Sequence, residues 1–166
     1  MMRQGDTGDW LGTFEGHKGA VWGVALSQDA SKAASGAADF IAKVWDTVTG
    51  EEVYSFQHQH IVKCVAFSPD GNLLATGSNE KLLRIYDWNN PTAGKDVKSV
   101  FQNLINNLFF TDPFIISGHT SGLRHISFLG KGEKIVSCAD DRTVRFWERS
   151  TGKVNLLSLG VSAIQN

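Results

Sequence analysis

A histidine, a serine and an aspartate recur in this sequence at fixed spacing. In each of two sets the serine lies 18 residues after the histidine, the aspartate 4 residues later, and a tryptophan a further 6. The sets are His17, Ser35, Asp39 and Trp45, and His119, Ser137, Asp141 and Trp147. These are the residue types of a hydrolase triad, in which histidine activates a serine nucleophile. A triad, however, is a single site with an exposed serine, and no Gly-x-Ser-x-Gly elbow is present. We therefore expect the sets to be structural.

Other motifs that carry chemistry are scarce. The sequence has no Gly-x-x-x-x-Gly-Lys-Ser/Thr phosphate loop and no Gly-x-Gly-x-x-Gly dinucleotide fingerprint. His58 and His60 are spaced to share a metal ion, but no third ligand stands nearby, which favours one buried and one surface histidine. Cys64 and Cys138 are interpreted as small strand residues rather than reactive thiols. We predict no catalytic residue, no cofactor, no metal site and no small-molecule substrate.

Composition narrows the class of protein. The 166 residues include 16 Lys+Arg against 17 Asp+Glu, a net charge of −1, which argues against a surface built mainly to bind phosphate backbones. With 42% hydrophobic residues the chain can form a core, and its 17 glycines favour turns and strands. The two cysteines, the lack of a signal-peptide pattern and the lack of a long apolar run predict an intracellular protein with no membrane partner.

Three segments of the chain align with one another without gaps. They are residues 16–46, residues 57–87, which lie 41 residues later, and residues 118–148, a further 61 residues on. Short alternating runs within each segment predict strands, and turns such as Ser68-Pro69-Asp70-Gly71 separate them. Four strands in about 41 residues, with Gly-His early and Trp-Asp late, are typical of a β-propeller blade. The chain resembles the WD-repeat family.

This resemblance implies an all-β, incomplete WD-repeat propeller with about three full blades. The expected divisions are closing strands of a truncated blade over 1–15, repeats over 16–56, 57–96 and 117–158, an insertion over 97–116, and the start of a truncated blade over 159–166. In WD-repeat proteins the matching tryptophan, serine, histidine and aspartate form a buried hydrogen-bond chain. The middle repeat has His58, Thr76, Glu80 and Tyr86 instead. We expect the longer Glu80 and the smaller Tyr86 to leave this chain incomplete.

The segment over 97–116 has a different periodicity. Its apolar residues recur at helical spacing from Val97 to Phe109, Asp96 can cap the start, and Thr111-Asp112-Pro113 should end it. We predict either an amphipathic helix or a disordered segment. As a helix it would bind a partner's groove or pack on a propeller edge, and a third interpretation is an unspliced stretch translated in frame.

Some segments resemble one group of WD-repeat scaffolds beyond the general consensus, notably RQGDTGDW, GHKGAVWG and AADFIAKVWD. This resemblance implies a non-enzymatic subunit of the survival-of-motor-neuron complex, which assists small nuclear ribonucleoprotein assembly for splicing, and a role in dampening transforming growth factor β receptor signalling. The implied partners are subunits of that complex, the RNA-binding protein unr, and a receptor kinase with an inhibitory Smad. RNA would be contacted only indirectly, in cytoplasm and nucleus. The alternatives are the WD-repeat subunit of eukaryotic translation initiation factor three, or a truncated or splice-altered product without independent function.

Overall fold

The computed structural model describes residues 2–87 and 113–155. In these ranges every regular element is a β-strand, and no helix is long and apolar enough to span a membrane. The strands are β1 (Met2–Arg3), β2 (Trp10–Gly12), β3 (Val21–Leu26), β4 (Lys32–Ala37), β5 (Ile41–Asp46), β6 (Glu52–Gln57), β7 (Val62–Phe67), β8 (Leu73–Ser78), β9 (Leu82–Asp87), β10 (Phe114–Ser117), β11 (Leu123–Leu129), β12 (Lys134–Ala139), β13 (Val144–Glu148) and β14 (Val154–Asn155).

Twelve of these strands form three antiparallel sheets of four strands each. Blade 1 consists of β3 to β6, blade 2 of β7 to β10, and blade 3 of β11 to β14. Within each blade the strands lie side by side in chain order, so that each pairs with the next along the chain. The predicted all-β propeller class is confirmed, with short consecutive hairpins as the building unit.

The two remaining strands, β1 and β2, form a hairpin that repeats the last hairpin of a blade. In the turn between β5 and β6 the amide of Gly50 donates to the carbonyl of Asp46 over 2.9 Å, and Gly50 has a φ of 76°. Gly8, with a φ of 74°, donates to Gln4 in the same way between β1 and β2. Glycine is favoured here because the left-handed region costs it nothing. The β1–β2 turn thus has the same hydrogen bond and the same glycine conformation as the β5–β6 turn of blade 1, and the assignment of residues 1–15 to the closing strands of a truncated blade stays a prediction.

The fourth strand of blade 2 lies farther along the chain than its repeat was expected to extend. β10 pairs with β9, with Phe114 opposite Ile85. Most of β10 thus falls inside the segment 97–116 that was interpreted as an insertion, and the insertion enters blade 2 between its third and fourth strands. The predicted helix lies over residues outside the described ranges.

Two apolar cores lie between neighbouring blades, one at each junction. The first contains Ala34, Ala42, Val44 and Phe56 from blade 1 and Val62, Val65, Leu74 and Tyr86 from blade 2. The second contains Cys64, Leu73, Ala75, Leu83, Ile85 and Ile116 from blade 2 and Leu123, Ile126, Phe128, Ile135 and Trp147 from blade 3. Because burial of apolar area is the dominant favourable contribution to folding, each blade depends on its neighbour for stability.

Glycines allow the blades to approach this closely. A Cβ added to Gly36 of blade 1 would lie 2.7 Å from Val62 Cγ1 of blade 2. A Cβ added to Gly77 of blade 2 would lie 2.9 Å from the Cβ of Leu123 in blade 3. Neither distance is compatible with a methyl group, so these two glycines set the spacing between blades.

The first strand of blade 1 exposes the face that the other blades bury. Val21 and Val24 are 51% and 75% exposed, whereas Val62 and Val65, the equivalent residues of blade 2, are 0% and 7% exposed. In blade 2 this face packs against the preceding blade. On blade 1 an apolar sheet face is therefore accessible.

We predict that Gly77→Ala destabilises the chain by about 1–3 kcal/mol, since the new methyl group overpacks the junction of blades 2 and 3. The measurement is the free energy of unfolding in urea. Gly5→Ala is the matched control, because a Cβ at Gly5 has no heavy atom within 4 Å. Equal effects of the two substitutions would contradict the assigned role of Gly77.

Candidate functional site

The predicted residues of the first repeat form a continuous chain of hydrogen bonds in blade 1. Trp45 lies on β5, Ser35 on β4, His17 in the loop before β3, and Asp39 in the turn between β4 and β5. Trp45 Nε1 donates to Ser35 Oγ over 2.8 Å. His17 Nε2 lies 2.7 Å from Ser35 Oγ, and His17 Nδ1 lies 2.9 Å from Asp39 Oδ2. Four residues from two strands, a loop and a turn are thus joined.

The direction of donation in this chain follows from its two ends. A carboxylate only accepts hydrogen bonds, so His17 Nδ1 donates to Asp39 Oδ2, and an indole N–H only donates, so Ser35 Oγ accepts from Trp45. Burial of Asp39 acts to raise its pKa. Hydrogen bonds from His17 and from the Lys18 amide outweigh that effect, so the pKa lies below its usual value. Each group therefore has a partner of the right kind.

Blade 3 contains the same arrangement. Trp147 Nε1 donates to Ser137 Oγ over 2.7 Å, and His119 Nε2 lies 2.8 Å from that oxygen. His119 Nδ1 donates to Asp141 Oδ2 over 2.8 Å. Burial acts to raise the pKa of Asp141, but hydrogen bonds from Thr143 and His119 hold it well below the usual range. Thr143 was not predicted from the sequence, although it follows the aspartate by two residues.

The middle repeat forms only part of this chain. His58 Nε2 lies 2.8 Å from Thr76 Oγ1, but His58 Nδ1 contacts the carbonyl oxygen of Phe56 at 3.1 Å rather than a carboxylate. Glu80 accepts from the Arg84 guanidinium and from the amide of Gln59. The longer glutamate thus binds the loop amide, as the aspartates do in blades 1 and 3, while its charge is paired with arginine.

Burial controls the protonation of the polar groups in blade 2. It lowers the pKa of His58 to about 4, with the nearby Arg84 adding to the effect, so His58 is neutral at pH 7. Burial also raises the pKa of the Tyr86 phenol to about 12, against the opposing effect of Arg84. The ring of Tyr86 stacks on Phe56 with centroids 3.9 Å apart, so it fills the junction of blades 1 and 2.

The glycines before His17 and His119 make room for the tryptophan rings of blades 1 and 3. A Cβ at Gly16 would lie 3.1 Å from Trp45 Cη2, and one at Gly118 would lie 2.9 Å from the same atom of Trp147. Both glycines have a φ of 155°, which L side chains rarely adopt. The Gly-His pair and the distant tryptophan are therefore parts of one packing unit.

The geometry gives the serines no access to a substrate. Ser35 and Ser137 are 7% and 2% exposed. Each hydroxyl accepts from an indole and lies within hydrogen-bond distance of a histidine ring nitrogen, so neither is available as a nucleophile. Among residues 2–87 and 113–155, no three His, Cys, Asp or Glu side chains are grouped so that they could hold a metal ion.

The remaining candidates lie apart from these sets. Cys64 is buried at the junction of blades 2 and 3, and burial raises the pKa of its thiol to about 12, which makes it a poor nucleophile. Cys138 is half-buried. His60 is exposed, with its ring 5.5 Å from that of Phe40. A cavity of about 500 Å³ lies on the accessible face of blade 1, between Phe14, Val24 and Trp45.

Three tandem blades held by these hydrogen-bond sets define a repeat protein of the propeller class. The sequence matches the WD domain, G-beta repeat, at residues 8–46, 50–87 and 111–148. The chain belongs to the WD-repeat family.

Its relatives include serine-threonine kinase receptor-associated proteins. The chain is 50% identical to that of Gallus gallus over 163 residues, which are 98% of this chain and 41% of the relative. It is 52% identical to that of Homo sapiens over 151 residues, 91% of this chain and 38% of the relative. The chain thus spans about two fifths of the length of these relatives, and it is a WD-repeat protein of their kind.

Similarity to other WD-repeat proteins is weaker. Eukaryotic translation initiation factor 3 subunit I of Meyerozyma guilliermondii is 31% identical over 144 residues, 84% of this chain and 41% of that protein. The solved structure of U3-55K superposes with a TM-score of 0.68 at 21% identity, covering 85% of this chain and 39% of that one. At 21% identity the superposition supports the fold alone.

We predict that Ser137→Ala lowers the free energy of unfolding by about 1–3 kcal/mol, because it leaves the Trp147 indole and the His119 ring without their buried partner. Ser127→Ala is the matched control in the same blade, since its hydroxyl contacts only the Phe128 carbonyl at 3.4 Å in the described structure. It should change stability by less than about 0.5 kcal/mol. A Ser137→Ala effect as small as that of the control would show that the hydrogen bonds do not stabilise blade 3.

Proposed function

We propose that the chain is a non-enzymatic scaffold that associates with a serine-threonine kinase receptor, as the name of its vertebrate relatives says of them. The observation that carries this proposal is the 50–52% identity to those relatives over at least 91% of this chain. The burial of both candidate serines supports the absence of hydrolase chemistry. A rigid set of blades with exposed loops suits a protein that holds partners rather than one that transforms them.

The scaffold role extends, in our proposal, to the survival-of-motor-neuron complex and to small nuclear ribonucleoprotein assembly, in cytoplasm and nucleus. The partners would be subunits of that complex, the protein unr, and a receptor kinase together with an inhibitory Smad, whose recruitment dampens transforming growth factor β signalling. Support comes from the segments that go beyond the general repeat consensus. These segments are RQGDTGDW, GHKGAVWG and AADFIAKVWD.

A subunit of translation initiation factor three is the second candidate. Its similarity to this chain is real, at 31% identity over 144 residues. The identity to the kinase receptor-associated proteins is 50–52% over 91–98% of this chain, compared with 84% for the initiation-factor subunit. We therefore favour the receptor-associated scaffold.

We predict that the tagged 166-residue chain, added to cell extract, captures subunits of the survival-of-motor-neuron complex and a serine-threonine kinase receptor. Bound proteins would be identified by mass spectrometry. The control is initiation factor 3 subunit I, tagged and added in parallel, which should capture initiation-factor subunits instead. Recovery of initiation-factor subunits by this chain, without the survival-of-motor-neuron subunits, would reject the favoured function.

A further inference from the structure

Two positions in every blade place an aromatic or a cationic side chain at the same end of the sheets. One is the second residue of the first strand, and the other lies in the turn between the second and third strands. The six residues, which we call the rim, are Trp22 and Phe40 in blade 1, Lys63 and Lys81 in blade 2, and Arg124 and Arg142 in blade 3. Blade 1 thus contributes two aromatic residues, blade 2 two lysines and blade 3 two arginines.

The strand register brings the two positions of each blade together. In blade 1 a β-bulge follows Val21, which pairs with Ala37 at the end of β4. The bulged residue, Trp22, therefore lies at the end of the sheet where the turn containing Phe40 begins. The same irregularity recurs at the start of β7 and of β11, so Lys63 and Arg124 occupy equivalent places.

Contacts between blades make the rim continuous. The Phe40 carbonyl accepts from the amide of His58 over 2.8 Å, so the turn of blade 1 rests on the loop of blade 2. Asp140 of blade 3 connects the next pair, with Arg124 Nε at 2.6 Å and Lys63 Nζ at 3.9 Å. Five residues from three blades thus lie along one end of the structure.

The rim side chains of blades 1 and 3 are accessible, and in blade 2 Lys81 is exposed whereas Lys63 is only 14% exposed. The side chain of Arg124 is 54% exposed although blade 2 packs against blade 3, and Trp22 is 56% exposed. Arg124 and Lys63 occupy the same strand position as Trp22, so packing of a neighbouring blade leaves this position exposed in blade 3 and largely covered in blade 2.

The turn residues of the rim have a strained backbone. Phe40, Lys81 and Arg142 have φ values of 68°, 69° and 63°, in the left-handed region that glycine occupies without cost. The same conformation thus holds a bulky side chain at this turn position in each of the three blades.

Charge on the rim is predominantly positive, although the chain carries a net charge of −1. The carboxylates of Asp39, Glu80 and Asp141, in the same turns, are only 9%, 7% and 4% exposed and are engaged in the hydrogen bonds described above. Asp140 is exposed between Lys63 and Arg124 and separates the cations. The rim therefore presents spaced positive charges in blades 2 and 3 and two exposed aromatic side chains in blade 1.

We propose that the rim binds an extended acidic segment of a protein partner. Carboxylates of the segment would pair with Lys81, Arg124 and Arg142, and an apolar side chain at one end would pack on Trp22 and Phe40. Asp140 among the cations favours a peptide over a nucleic acid, because a continuous phosphate backbone would meet its negative charge. This inference rests on the proposed scaffold function and specifies how it would bind a partner.

The test is direct binding of a fluorescein-labelled, glutamate-rich peptide with a C-terminal phenylalanine to the 166-residue chain, followed by anisotropy. The double variant Arg124→Glu/Arg142→Glu should bind about tenfold more weakly, which corresponds to the loss and reversal of two exposed charge pairs. The matched control, Lys131→Glu/Arg149→Glu, changes two exposed cations at the opposite end of blade 3 and should bind like the parent chain. Circular dichroism melting confirms that both variants fold.

A second variant, Trp22→Ala/Phe40→Ala, should bind the peptide with phenylalanine no better than the same peptide ending in serine. The proposal is overturned if the parent chain does not bind the peptide, if the control variant loses as much affinity, or if oligouridylate displaces the peptide and binds more tightly. Absence of peptide binding together with successful capture from extract would reject the rim and leave the scaffold function standing. Peptide binding without capture would do the reverse.

Discussion

Burial of polar groups is possible in these blades only because each one meets a partner. The indole, hydroxyl, imidazole and carboxylate of a complete set are joined end to end, and every hydrogen bond has a length between 2.7 and 2.9 Å. Throughout the described ranges, no buried side-chain nitrogen or oxygen lacks a hydrogen-bond partner. A network with unpaired buried groups would destabilise a blade more than an apolar core would. Each complete hydrogen-bond set therefore stabilises its blade because all of its groups are paired.

The same hydrogen bonds connect the interior of a blade to its exposed end. Trp147 packs in the core between blades 2 and 3, while Asp141 accepts from the amide of Thr120 over 3.0 Å in the loop before β11. Asp39 does the same for Lys18 over 2.8 Å. The aspartates thus fix the loops and turns from which the rim side chains project. Packing between blades and presentation of a binding surface depend on one set of contacts.

Spacing in the sequence located the recurring residues and the three repeats, and the resemblance to the WD-repeat family implied that these residues are joined by hydrogen bonds. Each hydrogen-bond set needs a histidine, a serine, an aspartate and a tryptophan at positions that the strands of one blade bring together. This requirement gives the four residues a fixed spacing in the sequence. The position of β10 could not be predicted in this way. Phe114 and Ile115 follow an apolar stripe of helical period, and only their pairing with β9 shows that they belong to blade 2.

The side-chain contacts of the middle repeat could not be predicted from the sequence either. Glu80 pairs with Arg84 while His58 turns to a backbone carbonyl, and neither choice follows from the replacement of aspartate by glutamate alone. The left-handed turn residues Phe40, Lys81 and Arg142 were missed because glycine or asparagine is the usual signal of that conformation, and neither is present.

The central claim, that buried hydrogen-bond sets hold the blades, is tested most directly by hydrogen exchange at the tryptophan indoles, followed by nuclear magnetic resonance. Trp45 and Trp147 donate to buried serines, whereas Trp10 and Trp22 are more than half exposed. The indole protons of Trp45 and Trp147 should exchange only when a blade opens, and those of Trp10 and Trp22 should exchange at the rate of exposed groups. Equally fast exchange at all four indoles would contradict the account.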